Sequence, residues 1–396
     1  MKYILLDTIN GGIVQTPPKS LFIEPFGCLA NYLIDHGFIQ ALVVPDDEYY
    51  LVLCVVNSVS WLNSNLQFNQ KIFDDLQNNK AGLILNPGCD SIIITPRPHS
   101  KSIRSNNNNL LELIKKSAEY FHIDAKNILY VDCNYKVNRI LKKYNLNGQW
   151  FNFWEALYPP LDIDTIVSSI KNKKSREKKF LYFGGRPREF RLRFINELLK
   201  IPNFLNDAYV STGSGHVLDH ITKEKKYIKE IHLDKQTIYG YDPQFGRSKG
   251  VHIALSELHL DSYINIVPMS YFEMSHDGMD LDEKPIKPIV GLQPFILLGE
   301  PGLLQYLRDI GYKTFHPFID ETYDTTLDDD ERFDKIVAEV NRLSSLTYDE
   351  LDAFMIDILP ILEHNAKLQR ERFINKDSTL IDRIYSFFRP IEKIDI

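Results

Sequence analysis

Long apolar runs are missing from this 396-residue chain. The strongest, residues 51–56, is far shorter than the ~20 residues that a membrane-spanning helix needs. The stretch Met1-Lys2-Tyr3-Ile4-Leu5-Leu6-Asp7 is too short in its apolar part for a secretory signal. A chain with no membrane span, located in the cytoplasm, is therefore expected. Cysteine is scarce as well. Cys28, Cys54, Cys89 and Cys133 all lie in the first third and none forms a C-x-x-C pair, which excludes the usual metal-ligand spacing and argues against a disulfide framework. Positive charge is not in excess: the formal net charge of −7 argues mildly against broad binding to nucleic acid or anionic membranes, which usually needs a basic face, and does not exclude a local basic pocket. Ser211-Thr212-Gly213-Ser214-Gly215 lacks the Gly-Lys-Ser/Thr ending of a phosphate loop. No internal repeat of solenoid period is present.

What is present is an ordinary globular composition, 44% hydrophobic and 25% charged, in a chain too long for one comfortable core. In the first half, apolar runs at 3–6, 41–44, 50–56, 81–85, 91–94 and 128–131 predict strands, and the apolar spacing over 110–121 predicts an amphipathic helix. Residues 94–109, with Pro96, Pro98 and four consecutive asparagines, read as a surface loop. In the second half, strands are expected at 180–183, 262–267 and 294–298, and helices at 189–199, 303–310, 331–343 and 348–373. Alternating strands and helices imply layered α/β structure with largely parallel sheets. The expected division is an α/β domain over 1–170, a solvated charge-rich linker over 171–179, a second α/β domain over 180–375, and a tail over 376–396 that packs back on the first domain.

Two constellations carry candidate chemistry. In the first, the strand at 180–183 runs through Gly184-Gly185 into Arg186-Pro187-Arg188-Glu189-Phe190-Arg191, where a helix begins. This turn lies beyond the carboxyl end of a strand, and a helix start offers N–H groups to an anion. Arg186, Arg188 and Arg191 crowd that start, unfavourably unless an anion neutralises them. The alternative is a surface arginine cluster paired with Glu189 and Glu197. The second constellation runs from Asp282-Glu283-Lys284 through Lys287-Pro288 to Gln293-Pro294-Phe295-Ile296 and the turn Gly299-Glu300-Pro301-Gly302. Glu283 suits ribose hydroxyls, and Lys284 and Lys287 suit a diphosphate. The alternative is an exposed Glu283–Lys287 pair, worth only a few tenths of a kcal/mol.

Taken in order, these motifs resemble a family of viral and bacterial glycosyltransferases of GT-B architecture. Its pattern has an R-P-R-x-x-R turn, a strand, a T-E-K-x-x-K-P-I helix, then Q-P-F-I and a G-x-P-G turn. The resemblance covers roughly residues 180–343 and extends through Tyr306–Phe315. It departs at Met269-Ser270, where the family often has Glu-Thr, and at Asp282, where it has threonine; Asp282 keeps a side chain able to cap the helix.

The resemblance implies two Rossmann-like domains facing a cleft, with C-terminal helices. It implies transfer of a hexosyl or pentosyl group from a nucleotide-sugar donor to a glycan, protein or modified nucleobase. Arg186, Arg188, Arg191, Lys284 and Lys287 are then the donor-phosphate residues, and Glu283 the ribose residue. No D-x-D adjoins a strand in the second half, and Asp328-Asp329-Asp330-Glu331 reads as an acidic helix start, so a metal-independent route with no cofactor beyond the co-substrate is expected. Candidate bases from the first half are Asp90, His99 and Asp132. His216, His220, His252 and His259 read as surface or core histidines, and the aromatic run Trp150–Trp154 as packing. The competing readings are a non-catalytic nucleotide- or glycan-binding protein on the same fold and a DNA-base-modifying sugar transferase.

Overall fold

The computed structural model describes residues 3–7, 29, 33, 38–40, 46–54, 70–86, 110–132, 134–152, 161–172, 176–184, 188–211, 216–218, 225–227, 257–273, 281–282, 284–375 and 379–388. The expected strands at 41–44 and 91–94 and the loop at 94–109 lie outside the described residues.

The first half builds a six-stranded parallel sheet in the order β2-β1-β3-β4-β5-β6. Its strands are β1 (Tyr3–Asp7), β2 (Ile39–Gln40), β3 (Tyr49–Cys54), β4 (Ala81–Asn86), β5 (Ile128–Asp132) and β6 (Asn147–Trp150). Helices α1 (Gln70–Gln77), α2 (Leu110–Phe121) and α3 (Val137–Lys142) connect the later strands. Sequence reading does not find β6, because Asn147-Gly148-Gln149-Trp150 has no apolar run. It is placed by pairing with β5, from Leu129 opposite Asn147 to Asp132 opposite Trp150. Gly148 permits a close approach there, since a Cβ would lie 2.9 Å from Leu141 Cδ1.

The second half forms a four-stranded parallel sheet in the order β12-β11-β7-β8. These are β7 (Lys178–Phe183), β8 (Ala208–Ser211), β11 (Ser262–Pro268) and β12 (Phe295–Leu298), while β9 (His216–Leu218) and β10 (Lys225–Tyr227) make a separate antiparallel pair. Every residue of β11 and β12 is buried. That fits their near-continuous apolar sequences, as a parallel sheet covered on both faces requires. Helices α4 (Ile163–Lys171), α5 (Glu189–Leu198), α6 (Ile286–Val290), α7 (Leu303–Asp309), α8 (Asp329–Ser344), α9 (Tyr348–Asn375) and α10 (Thr379–Phe388) complete the architecture. No helix among the described residues is long and apolar enough to cross a membrane.

The cores divide differently from the sequence expectation. α4, assigned to the first domain from sequence, buries Ile163, Ile166, Val167 and Ile170 in the core of the second sheet. The charge-rich 171–179 segment is only partly a solvated linker. β7 already begins at Lys178. Arg176 is buried and donates to the Ser262 carbonyl at 2.6 Å, and Lys179 donates to the Ser344 carbonyl at 2.8 Å. Burial lowers the Arg176 pKa to about 10, partly countered by Tyr263 and nearby acidic groups. Helix α10 returns to the first sheet, where Leu380, Ile381 and Ile384 join Val52, Ile84, Leu129 and Val131. Its Phe388 ring lies over Gly82, so close that a Cβ there would meet it at 2.5 Å.

The order β12-β11-β7-β8 contains one reversal of direction. From β7 the chain moves outward to β8, then returns to the other side for β11 and β12. The crevice beyond the carboxyl ends of β7 and β11 is thus a topological switch point, where open α/β sheets bind ligands.

Candidate functional site

Both constellations meet at that switch point. Arg188 follows β7 and is the N-cap residue of α5, with extended backbone and no side-chain cap. Its guanidinium donates to the backbone carbonyl of Ser270, just beyond the end of β11, and lies 5.4 Å from the Tyr271 ring centroid. Lys284 approaches the same residue, donating from Nζ to Ser270 Oγ at 3.3 Å and to Asp282 Oδ2 at 2.8 Å. Two cations far apart in sequence are therefore gathered around Ser270. Lys287 is half-buried in α6, three residues after Lys284.

Asp282 holds this cluster. Its Oδ2 accepts from Ser270 N at 3.1 Å and Ser270 Oγ at 2.9 Å, and its Oδ1 accepts from Lys284 N at 3.0 Å. Burial raises the carboxyl pKa, but the Lys284 charge and the hydrogen bonds from Lys284 and Ser270 outweigh it and hold the group below its ordinary value. Asp282 is not the expected helix cap: α6 begins later, at Ile286, with Pro285 as N-cap and no side-chain cap bond. Pro288 falls in its first turn, where a missing N–H costs nothing.

Arg191 lies differently from Arg188. It is 5% exposed. Its guanidinium donates to the carbonyls of Gly184 at 2.6 Å, Pro268 at 3.1 Å and Met269 at 2.6 Å. It thus ties the ends of β7 and β11 together beneath the crevice. Met269, at the family's Glu position, is buried and packs on Gly299, where a Cβ would lie 2.7 Å from its Cγ. Arg186 and Glu283 lie outside the described residues.

The starts of α5 and α7 at this edge of the sheet differ. No side chain caps α5. At α7, the buried Asp324 accepts from Leu304 N at 2.9 Å and Gln305 N at 3.0 Å, while its carbonyl accepts from Gly302 N at 2.7 Å. A carboxylate of the chain itself therefore closes that helix start. The Gly299–Gly302 turn below it is braced by the wholly buried Arg332, which donates to Gly299 O at 3.2 Å, Phe272 O at 2.5 Å and Thr326 O at 3.0 Å. The acidic segment at 328–331 is a helix start, with Asp328 Oδ1 accepting from Glu331 N at 2.8 Å. Sequence reading singled out neither Asp324 nor Arg332. Gln293 is likewise structural, donating to Ser262 O at 2.9 Å and accepting from Asn265 Nδ2 at 3.2 Å.

Of the base candidates, Asp90 and His99 lie outside the described residues. Asp132 ends β5, is fully buried, and accepts from Asn134 N at 3.0 Å. Close by, Tyr135 stacks on Tyr306 of α7 with centroids 4.3 Å apart, and Trp150 meets the same ring edge-on at 6.2 Å. This aromatic contact joins the carboxyl ends of the two sheets. His259 is a core histidine, 1% exposed and edge-on to Phe183.

No protein-family model and no curated protein matches the chain. Among solved structures, one described as trehalose-6-phosphate from E. coli bound with UDP-2-fluoro glucose is similar over 95% of this chain and 98% of that one, at 9% identity and a TM-score of 0.37.

Proposed function

We propose that the chain is a glycosyltransferase of GT-B type that moves a sugar from a nucleotide-sugar donor to an acceptor hydroxyl without a metal ion. The observation carrying this reading is the meeting of Arg188, Lys284 and the uncapped start of α5 at the switch point between β7 and β11. As the glycosidic bond to the donor breaks, positive charge spreads over the sugar ring and negative charge builds on the departing diphosphate. Fixed cations and helix N–H groups stabilise that charge without reorganising. Arg188 and Lys284 supply the charge, with Lys287 three residues after Lys284 and Arg186 two residues before Arg188 in the sequence. Arg191 keeps the two strand ends at the spacing the diphosphate needs. Glu283 takes the ribose hydroxyls, and the first half presents the acceptor, a glycan, a protein or a modified nucleobase. Asp90, His99 and Asp132 remain the base candidates, and Asp132 must be uncovered to act.

A nucleoside diphosphate should raise the melting temperature of the full chain, and Arg188→Ala and Lys284→Ala should each remove the shift while leaving the fold intact. Absence of a shift with every common nucleoside diphosphate would sink the proposal. A non-catalytic binding protein is the second reading, favoured by the buried Met269 where the family often carries glutamate. Sugar release from a donor panel, with and without acceptor, separates the two: hydrolysis or transfer rules out the second.

A further inference from the structure

At the opposite, amino-terminal edge of the first sheet lies a polar groove of about 600 Å³. Lys126 borders it just before β5, Lys142 at the end of α3, Asn147 from the edge strand β6, and Arg383 from α10. None of these residues belongs to the switch-point site.

We propose that this groove is a second ligand site, for a small anion carried on a hydroxyl-rich scaffold such as a sugar phosphate or a uronic acid. Its lining holds three cations, Lys126, Lys142 and Arg383, and no carboxylate among the described residues, in a chain whose net charge is −7. Cations gathered in one groove repel one another unless an anion joins them. No ion pair to Lys142 occurs among the described residues, and Lys126 has only the exposed Asp124, at 3.1 Å, a pairing of little strength in water. Arg383 is held in place: its Nη2 donates to Asn147 Oδ1 at 3.2 Å, and Asn147 Nδ2 donates to the Lys126 carbonyl at 2.7 Å. The rest of the polar lining includes the amides of Asn138 and Asn145; Asn138 Oδ1 accepts from Trp150 N at 2.8 Å and leaves its Nδ2 as a donor, while Asn145 can match hydroxyl groups as donor and acceptor. No aromatic ring lines the groove among the described residues, so the described lining gives a nucleobase nothing to stack on. The groove thus selects a charged polyol and not the nucleotide of the switch-point site.

The groove also depends on α10. With Arg383 on that helix, Lys126 on the turn before β5 and Lys142 at the end of α3, a bound anion bridges α10 to the first half and holds it in its seat.

The test is a titration of the full chain at fixed ionic strength with inorganic phosphate, glycerol 3-phosphate, glucuronate and glucose, followed by amide chemical shifts and melting temperature. Saturable binding of the three anions and none of glucose is expected, and the tighter of glycerol 3-phosphate and glucuronate identifies the source as phosphate or carboxylate. Lys142→Glu, at an exposed position, should weaken binding by about tenfold or more, as expected for reversing one charge-assisted contact. Arg383→Gln should also weaken it and should lower the anion-dependent rise in melting temperature. Anions without saturable binding, or unchanged affinities in Lys142→Glu, overturn the proposal. The response to a nucleoside diphosphate should persist in Lys142→Glu, which keeps this result separable from the function of the other site.

Discussion

Asp324 Oδ1 accepts a hydrogen bond from the Leu304 amide at 2.9 Å, closing a helix start from a residue in the following loop. With Gln305 N on its other oxygen and Gly302 N on its carbonyl, one residue satisfies three amides at the start of α7. The helix after β12 is thereby braced against the segment that follows it, whereas α5 and the short α6 start without a side-chain cap. Asp324→Ala should destabilise the fold by about 3 kcal/mol, since it removes a cap and strands buried donors. Urea unfolding measures the loss. Nucleotide affinity, taken well below the unfolding midpoint, should stay within about twofold, because the fold still forms.

Arg188 and Arg191 sit three residues apart but should fail in different ways. Arg188 is half-buried at the mouth of the crevice, with one described backbone acceptor at Ser270. Arg191 lies beneath, bonded to three carbonyls from two strand ends. Arg188→Ala should weaken nucleoside diphosphate binding by about tenfold to a hundredfold, with little change in melting temperature. Arg191→Ala should cost about 3 kcal/mol of stability, because carbonyls are left buried without donors. Calorimetric titration paired with denaturant unfolding reads both effects. Equal stability losses in the two variants would remove the distinction.

Gly299 offers a steric test of the crevice floor. A Cβ at this position would lie 2.7 Å from Leu303 Cδ1 and 2.7 Å from Met269 Cγ. Gly299→Ala should therefore destabilise by about 1–3 kcal/mol through overpacking. Adding Leu303→Ala should cost less in Gly299→Ala than in the parent, since it removes the Leu303 Cδ1 clash, whereas at Met269 the Cβ itself would still lie 2.9 Å away. A double-mutant cycle by denaturant unfolding measures the coupling.

The parts of the fold that were legible in sequence are those whose burial is written locally. β12 is a continuous apolar run and β11 is broken only by Ser262 and Asn265, as suits strands of a sheet covered on both faces. β6 carries no such run and exists through its pairing with β5, a contact no local pattern records. α4 looks like an ending to the first half by position, yet its apolar face belongs to the second core. α10 has an apolar stripe at Leu380, Ile381 and Ile384, but the surface covering it comes from the first sheet, hundreds of residues earlier in the chain. At the site, the arginine turn and the Asp282–Lys287 segment were legible as residue types suited to phosphate. The division of labour within them was not. Spacing alone cannot tell a guanidinium at the helix cap from one a turn deeper whose donors are taken by carbonyls. Asp324 and Arg332 act on elements distant in sequence, so no motif marks them.

The buried carboxyls give stability a pH dependence of mixed sign. Burial pushes the Glu321 and Asp324 carboxyls above their ordinary values; the hydrogen bonds they accept and the nearby Arg308, 3.2 Å from Glu321 and 3.7 Å from Asp324, only partly offset this. For these two, the folded chain binds protons more tightly than the unfolded chain. Their favourable contribution is complete below the unfolded value and is lost as pH rises through the folded one. Asp282 behaves in reverse: held below its ordinary value chiefly by Lys284, it contributes stability above the unfolded value and loses it as pH falls through the folded one. Glu321→Gln removes one titration of the first kind. Lowering the pH from about 7 to about 5 should therefore stabilise the parent chain relative to Glu321→Gln, and raising it again should reverse that gain. Asp282→Asn should show the opposite trend, its deficit against the parent shrinking below about pH 4, where the parent's own carboxylate takes up a proton. Denaturant midpoints for the three chains across this range decide it; parallel pH profiles would show that neither carboxyl is perturbed as its surroundings require.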